Sequence, residues 1–187
     1  MKEAINQAIQ VLKNGGVILY PTDTIWGIGC DATNPEAVEK IFKIKNRSDS
    51  KSLVVLAADI DMIEKYVKEI PQMAITLVEI TDKPLTIIYP EGVGLAQNVT
   101  AEDGSVAIRV PMNDFCIQLL QKFQRPIVST SANISGEKSP IHLKEVSEKI
   151  SCSVDWIANA DWDAGATCKA SSIIMIKTDG QVKIIRE

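Results

Sequence analysis

Apolar and polar positions along this chain switch between two periods, and the switches mark its elements. Residues 2–13 place Ile5, Ala8, Ile9 and Leu12 on one side of a helix, with polar residues between them and Asn14-Gly15 as a stop. Residues 17–20 form a continuous apolar run broken at Pro21, which predicts a short buried strand. Asn34-Pro35 is a helix start with proline at the first helical position. Val38, Ile41 and Phe42 then follow one stripe, and Lys45 is a further position on it. Residues 53–57 read as a buried strand, and 60–68 and 72–80 as two helices parted by Pro71.

The second half repeats this vocabulary. Residues 85–89 predict a strand, 91–104 a glycine-containing loop, and 106–110 a strand stopped by Pro111. Helical spacing returns over 113–123 in Phe115, Ile117, Leu119 and Leu120. Residues 126–129 read as a strand that runs into Ser131-Ala132-Asn133, 143–150 as a short helix, and 154–158 as an apolar stretch. Residues 171–176 and 182–186, joined across Thr178-Asp179-Gly180, form the clearest hairpin. Early alternation of strands and helices with a closing hairpin predicts an α/β fold: one domain over 1–187, a twisted mixed sheet flanked by helices.

Composition changes this picture little. A chain of 187 residues can bury a substantial core, and 45% apolar with 24% charged residues is ordinary for a globular protein. No apolar run is long enough to span a bilayer, and MKEAINQAIQ is amphipathic and unlike a signal peptide. The four cysteines form no CxxC pair, so reduced thiols in the cytoplasm are expected and a structural zinc is not. A net charge of −4 argues against a dedicated nucleic-acid binder; only the stretch 40–51 reverses the sign.

That stretch carries Lys40, Lys43, Lys45, Arg47 and Lys51 at the end of a predicted helix. Such a cluster suits a solvated helix end and its dipole. Its placement in a polar turn between apolar elements equally suits phosphate, for which arginine offers a planar fork and lysine a point charge. Upstream, Thr22-Asp23-Thr24 ends a strand with turn chemistry, and Gly27 and Gly29 permit close backbone approach. Arg109 stands inside an apolar strand, which places it on a solvent face or paired in a cleft. The one histidine, His142, stands just before a predicted helix, so neither a histidine-centred triad nor a multi-histidine metal site is expected. There is no G-x-x-x-x-G-K-[ST], and Gly92-Val93-Gly94 lacks the third glycine of a dinucleotide loop, Gln97 standing there.

Five segments in order, GGVILYPTDTIWGIGCDA, KNRSDSKSLVVL, SVAIRVP, STSANISG and the terminal SSIIMI with VKIIR, resemble the YrdC-like threonylcarbamoyl-AMP synthases over nearly the whole chain. The resemblance implies ATP, L-threonine and bicarbonate as substrates, threonylcarbamoyl-AMP and pyrophosphate as products, and use of that intermediate for modified adenosine 37 of tRNA. It implies a ligand groove, with Lys45 and Arg47 as catalytic residues. Thr24, Leu56, Arg109, Ser131 and Ser171 are implied at the threonine. Arg47, Lys51, Ser105, Asn133, Ile141 and Arg186 are implied at ATP. Magnesium is expected on the nucleotide and not in a protein cage. Downstream threonylcarbamoyl-transfer proteins are the implied partners, with weak or no direct tRNA binding. Ser48, Ser52, Leu56 and Ile141 depart from residues common in that family. An RNA-binding module and a carbamoyl-transfer paralogue of the same fold remain the alternatives.

Overall fold

The computed structural model of the chain describes residues 1–46 and 53–187. Helix α1 (Lys2–Lys13) buries the four residues of its stripe, Ile5, Ala8, Ile9 and Leu12. It stops because Gly15 takes a left-handed backbone, φ 69°, while the amides of Gly15 and Gly16 bond back to Leu12 and Val11. Strand β1 (Ile18–Pro21) then turns through Thr22–Ile25 into β2 (Trp26–Asp31), its antiparallel neighbour. The sequence pattern did not reveal β2. Its two glycines weaken strand propensity, yet the packing requires Gly29 and is tight at Gly27. A Cβ on Gly29 would fall 2.3 Å from the Val128 carbonyl and 3.0 Å from the Tyr20 ring.

Helix α2 (Pro35–Lys45) begins as its sequence indicates: Asn34 Oδ1 accepts from the amides of Glu36 and Ala37, and Pro35 opens the first turn. It ends at Asn46, left-handed at φ 49°. Its inward stripe is Val38, Ile41 and Phe42, with Lys45 buried beyond them. Strand β3 (Val54–Leu56) is followed by α3 (Ile60–Glu64) and α4 (Gln72–Ile80). The first of these helices is shorter than its pattern suggests, because Val67 leaves it to form a bridge with Gly92. Next come β4 (Leu85–Tyr89), β5 (Val106–Arg109), α5 (Asp114–Phe123, capped by Asn113) and β6 (Ile127–Ser131). The helix expected over 143–150 is two pieces, a 3-10 turn at Leu143–Glu145 and α6 (Glu148–Ser151). Strand β7 (Trp156–Ile157), a 3-10 turn at Ala160–Asp163, and the hairpin of β8 (Ser172–Ile176) and β9 (Val182–Arg186) complete the chain.

Among the described residues nine strands form one mixed sheet in the order β7-β1-β2-β6-β3-β5-β4-β8-β9. The β1/β7, β3/β5 and β4/β8 pairs are parallel and the other pairs antiparallel. Register partners lie on the same face of a sheet. Leu56 pairs with Arg109, Arg109 with Thr86, Thr86 with Ile173, and Ile173 with Arg186, so one transverse row crosses five strands. A bulge between β8 and β9 beside Ile173 ends that row and re-aims the Arg186 side chain. All four cysteines are free, and among the described residues no helix is long and apolar enough to cross a membrane.

Candidate active site

A cleft of about 300 Å³ opens on the face that carries this row. Its floor comes from strand ends and its rim from the loops that leave them. Thr24, Arg109, Ser131, Ser171 and Arg186 all line it, five of the residues implied by the resemblance. Gly27 also lines it, and a Cβ there would meet the Thr130 carbonyl at 3.2 Å.

The turn between β1 and β2 is organised by one hydroxyl. Thr22 Oγ1 donates to the Ile25 carbonyl at 2.8 Å and accepts from the amides of Thr24 and Ile25. The Thr24 hydroxyl lies 2.8 Å from Thr22 Oγ1, and either hydroxyl can donate between the two. Thr24 lines the cleft, and its hydroxyl oxygen lies 3.5 Å from Arg109 Nη2, which donates to it.

Arg109 is 5% exposed, and its Nη1 donates to Asp23 Oδ1 at 2.6 Å in a buried ion pair. Among the described residues, Asp23 Oδ2 has no hydrogen-bond partner. Across the cleft, Arg186 donates through Nε and Nη2 to the Ser171 carbonyl at 3.0 and 2.7 Å. Partial burial, and then the charge of Arg109, push the Arg186 pKa down. Two guanidiniums thus converge on one volume, an arrangement that an anion relieves. Ser171 is fixed from the other side by a 2.7 Å bond between its hydroxyl and that of Thr86.

Lys45 lies under the Ser-Ala-Asn loop, 3% exposed. Its ammonium donates to the carbonyls of Ser131 and Asn133, and its own carbonyl accepts from the Ser135 amide. The lysine is thus a brace for that loop. Asn133 donates through Nδ2 to the carbonyls of Ile134 and Glu137, and among the described residues its buried Oδ1 has no hydrogen-bond partner.

The remaining expectations fall elsewhere. Leu56 shares the face of Arg109 but is 1% exposed and does not line the cleft; Val54, two residues earlier on that face, and Ile173 supply apolar wall. Ser105 is buried at the start of β5, its amide bonded to Asp103, away from the cleft lining. Ile141 donates its amide to Glu145 and is also outside the lining. Arg47 and Lys51, with Ser48 and Ser52, lie outside the described residues. Sequence reasoning assigned no site role to Thr22, Asp23, Ser129 or Val54. The polar Thr-Asp-Thr turn after a wholly apolar strand was the available signal for the first two.

The threonylcarbamoyl-AMP synthase of Psychromonas ingrahamii is 34% identical over 147 residues, 77% of this chain and 77% of its own length. The structure of P. abyssi Sua5 complexed with L-threonine superposes with a TM-score of 0.82 at 28% identity. It covers 92% of this chain, whereas this chain spans about half, 50%, of that longer one. E. coli YciO shares the fold, with a TM-score of 0.82 at 24% identity over 100% of this chain and 90% of its own. The Sua5/YciO/YrdC family, described as telomere recombination, matches residues 10–187, and the chain belongs to it.

Proposed function

We propose that this chain is an L-threonylcarbamoyladenylate synthase, converting ATP, L-threonine and bicarbonate to threonylcarbamoyl-AMP and pyrophosphate. The observation that carries the reading is the cleft in which Arg109 and Arg186 converge among the hydroxyls of Thr24, Ser131 and Ser171. It is supported by relatives named threonylcarbamoyl-AMP synthase and by the neighbour complexed with L-threonine.

The amino acid's carboxylate meets the guanidiniums, and its hydroxyl meets the serine and threonine side chains. The threonine amine captures carbon dioxide as a carbamate, and a carbamate oxygen attacks the α-phosphorus of ATP as pyrophosphate leaves. This chemistry needs alignment and charge neutralisation more than a strong base. The buried Asn133 Oδ1, without a partner among the described residues, is an acceptor for a nucleotide donor. Among the described residues no cluster of three or more His, Cys, Asp or Glu could hold a metal. Magnesium arriving on the nucleotide's phosphates would neutralise charge there.

The product supplies the threonylcarbamoyl group for tRNA modification through separate transfer proteins. With a net charge of −4, tRNA binding by the chain alone is weak and salt-sensitive. The test is pyrophosphate release with each substrate withheld in turn. Release that is equal without threonine or without bicarbonate refutes the synthase reading.

A further inference from the structure

Asp23 does not line the cleft, yet it controls what the cleft presents. Its Oδ1 takes Nη1 of Arg109 at 2.6 Å, with Asp23 8% and Arg109 5% exposed. The Asp23 backbone is itself fixed, its carbonyl accepting from the Thr167 amide at 2.9 Å. A guanidinium is a rigid plane, so pinning Nη1 on one edge orients Nη2 on the side of Thr24 and the cleft.

The charge count is as informative as the geometry. Among the described residues, Arg109 and Arg186 are the charged groups lining the cleft, and no carboxylate lines it. The Arg186 fork is committed to a neutral carbonyl, that of Ser171. Asp23 is therefore the buried counter-charge of the pair. Among the described residues, two guanidiniums against one carboxylate leave a single positive charge.

We propose that Asp23 is a specificity-determining positioning residue, which orients Arg109 and sets the charge of the arginine pair to match a monocarboxylate and not a phosphate dianion. The inference rests on the cleft being the amino-acid site. A carboxylate brings the arginine pair and Asp23 to neutrality. A dianion overshoots and meets the buried Asp23 charge at close range, which is costly in a site shielded from water. In the synthase this keeps phosphate and the pyrophosphate product out of the amino-acid position.

The test compares wild type with Asp23→Asn, whose amide oxygen can still accept from Nη1. The threonine KM and kcat at saturating ATP are measured, together with inhibition by inorganic phosphate against threonine and the melting temperature. We expect phosphate to inhibit about tenfold more strongly against threonine, while the threonine KM and kcat each stay within about threefold of wild type. A folded Asp23→Asn protein with unchanged phosphate inhibition overturns the proposal. So does a fall in kcat alone with that inhibition unaltered.

If Asp23→Asn does not fold, Asp23→Asn/Arg109→Gln, which buries no unpaired charge, is set against Arg109→Gln. The single variant keeps an unpaired carboxylate beside the cleft and must bind threonine more weakly; equal binding overturns the proposal. Titration calorimetry with L-threonine and with inorganic phosphate reads the same selectivity without turnover. Wild type that binds threonine over phosphate but releases no pyrophosphate refutes the synthase reading and leaves the role of Asp23 standing.

Discussion

Replacing Lys45 with methionine separates a brace from a phosphate ligand. Methionine refills the space of the buried stem but cannot donate, so the carbonyls of Ser131 and Asn133 lose the ammonium. A hydrogen bond to a charged group contributes about 1.5–3 kcal/mol, which sets a gross loss of about 3–6 kcal/mol for two. Methionine also removes the cost of burying an ammonium, which offsets part of this. A net loss of about 3 kcal/mol follows, and a chain of this length should melt roughly 6–12 °C lower. Thermal and urea unfolding measure the loss, with threonine and ATP kinetics run below the lowered transition. The loop that carries Ser131 and Asn133 loosens, so both KM values should rise together. A Lys45→Met protein as stable as wild type, with kcat alone reduced, would refute the brace and return the ammonium to the reacting phosphates.

Gly29→Ala should destabilise by about 3 kcal/mol or more, since the new methyl meets the Val128 carbonyl at 2.3 Å between paired strands; urea unfolding checks this. Val54→Ala should narrow the kcat/KM preference for threonine over serine, set by one methyl at about 1–3 kcal/mol, whereas Leu56→Ala should lower stability by about 2–5 kcal/mol and leave that ratio unchanged. Asp163 accepts from the Trp26 indole at 3.1 Å and faces His142 at 3.2 Å, and the indole bond first, then His142, hold its pKa below the usual 3.8. Because the folded value is depressed, that stability is fully present above the unfolded value and is lost as pH falls through the folded one. The stability gap between wild type and Asp163→Asn should therefore close as pH falls below about 3.8, followed by urea unfolding across pH.

Elements written by local rules were legible in the sequence. The Asn34-Pro35 start produced an N-cap with two amide bonds, and the 171–186 pattern produced β8 and β9. Strand β2 was not legible, because its glycines answer to a carbonyl and a ring contributed by other strands. A glycine selected by a neighbour's backbone looks, in one dimension, like a loop. Leu56 shows the converse. Its place beside Arg109 in the register is right for a site residue, and only three-dimensional cover puts it in the core.

The site itself depends on register more than on any motif. Arg109 and Arg186 are far apart in the chain and belong to strands three steps apart in the sheet, roughly 14 Å at usual strand spacing. They reach one cleft because Thr86 and Ile173 complete a row between them and a bulge turns the last side chain inward. A one-residue slip of β9 would send Arg186 to the opposite face and leave Arg109 alone with Asp23. Edge strands hold their register least firmly, and β9 is an edge with every residue exposed. What secures it is the grip of Arg186 on the Ser171 carbonyl. The same side chain thus anchors the edge strand and supplies charge to the cleft, so an anion held by Arg186 should also tighten the β8–β9 pair. Amide exchange along β9 with and without L-threonine tests this: slower exchange at Ile184 and Arg186 is the expected result, and exchange unchanged at saturating threonine would place the ligand away from Arg186.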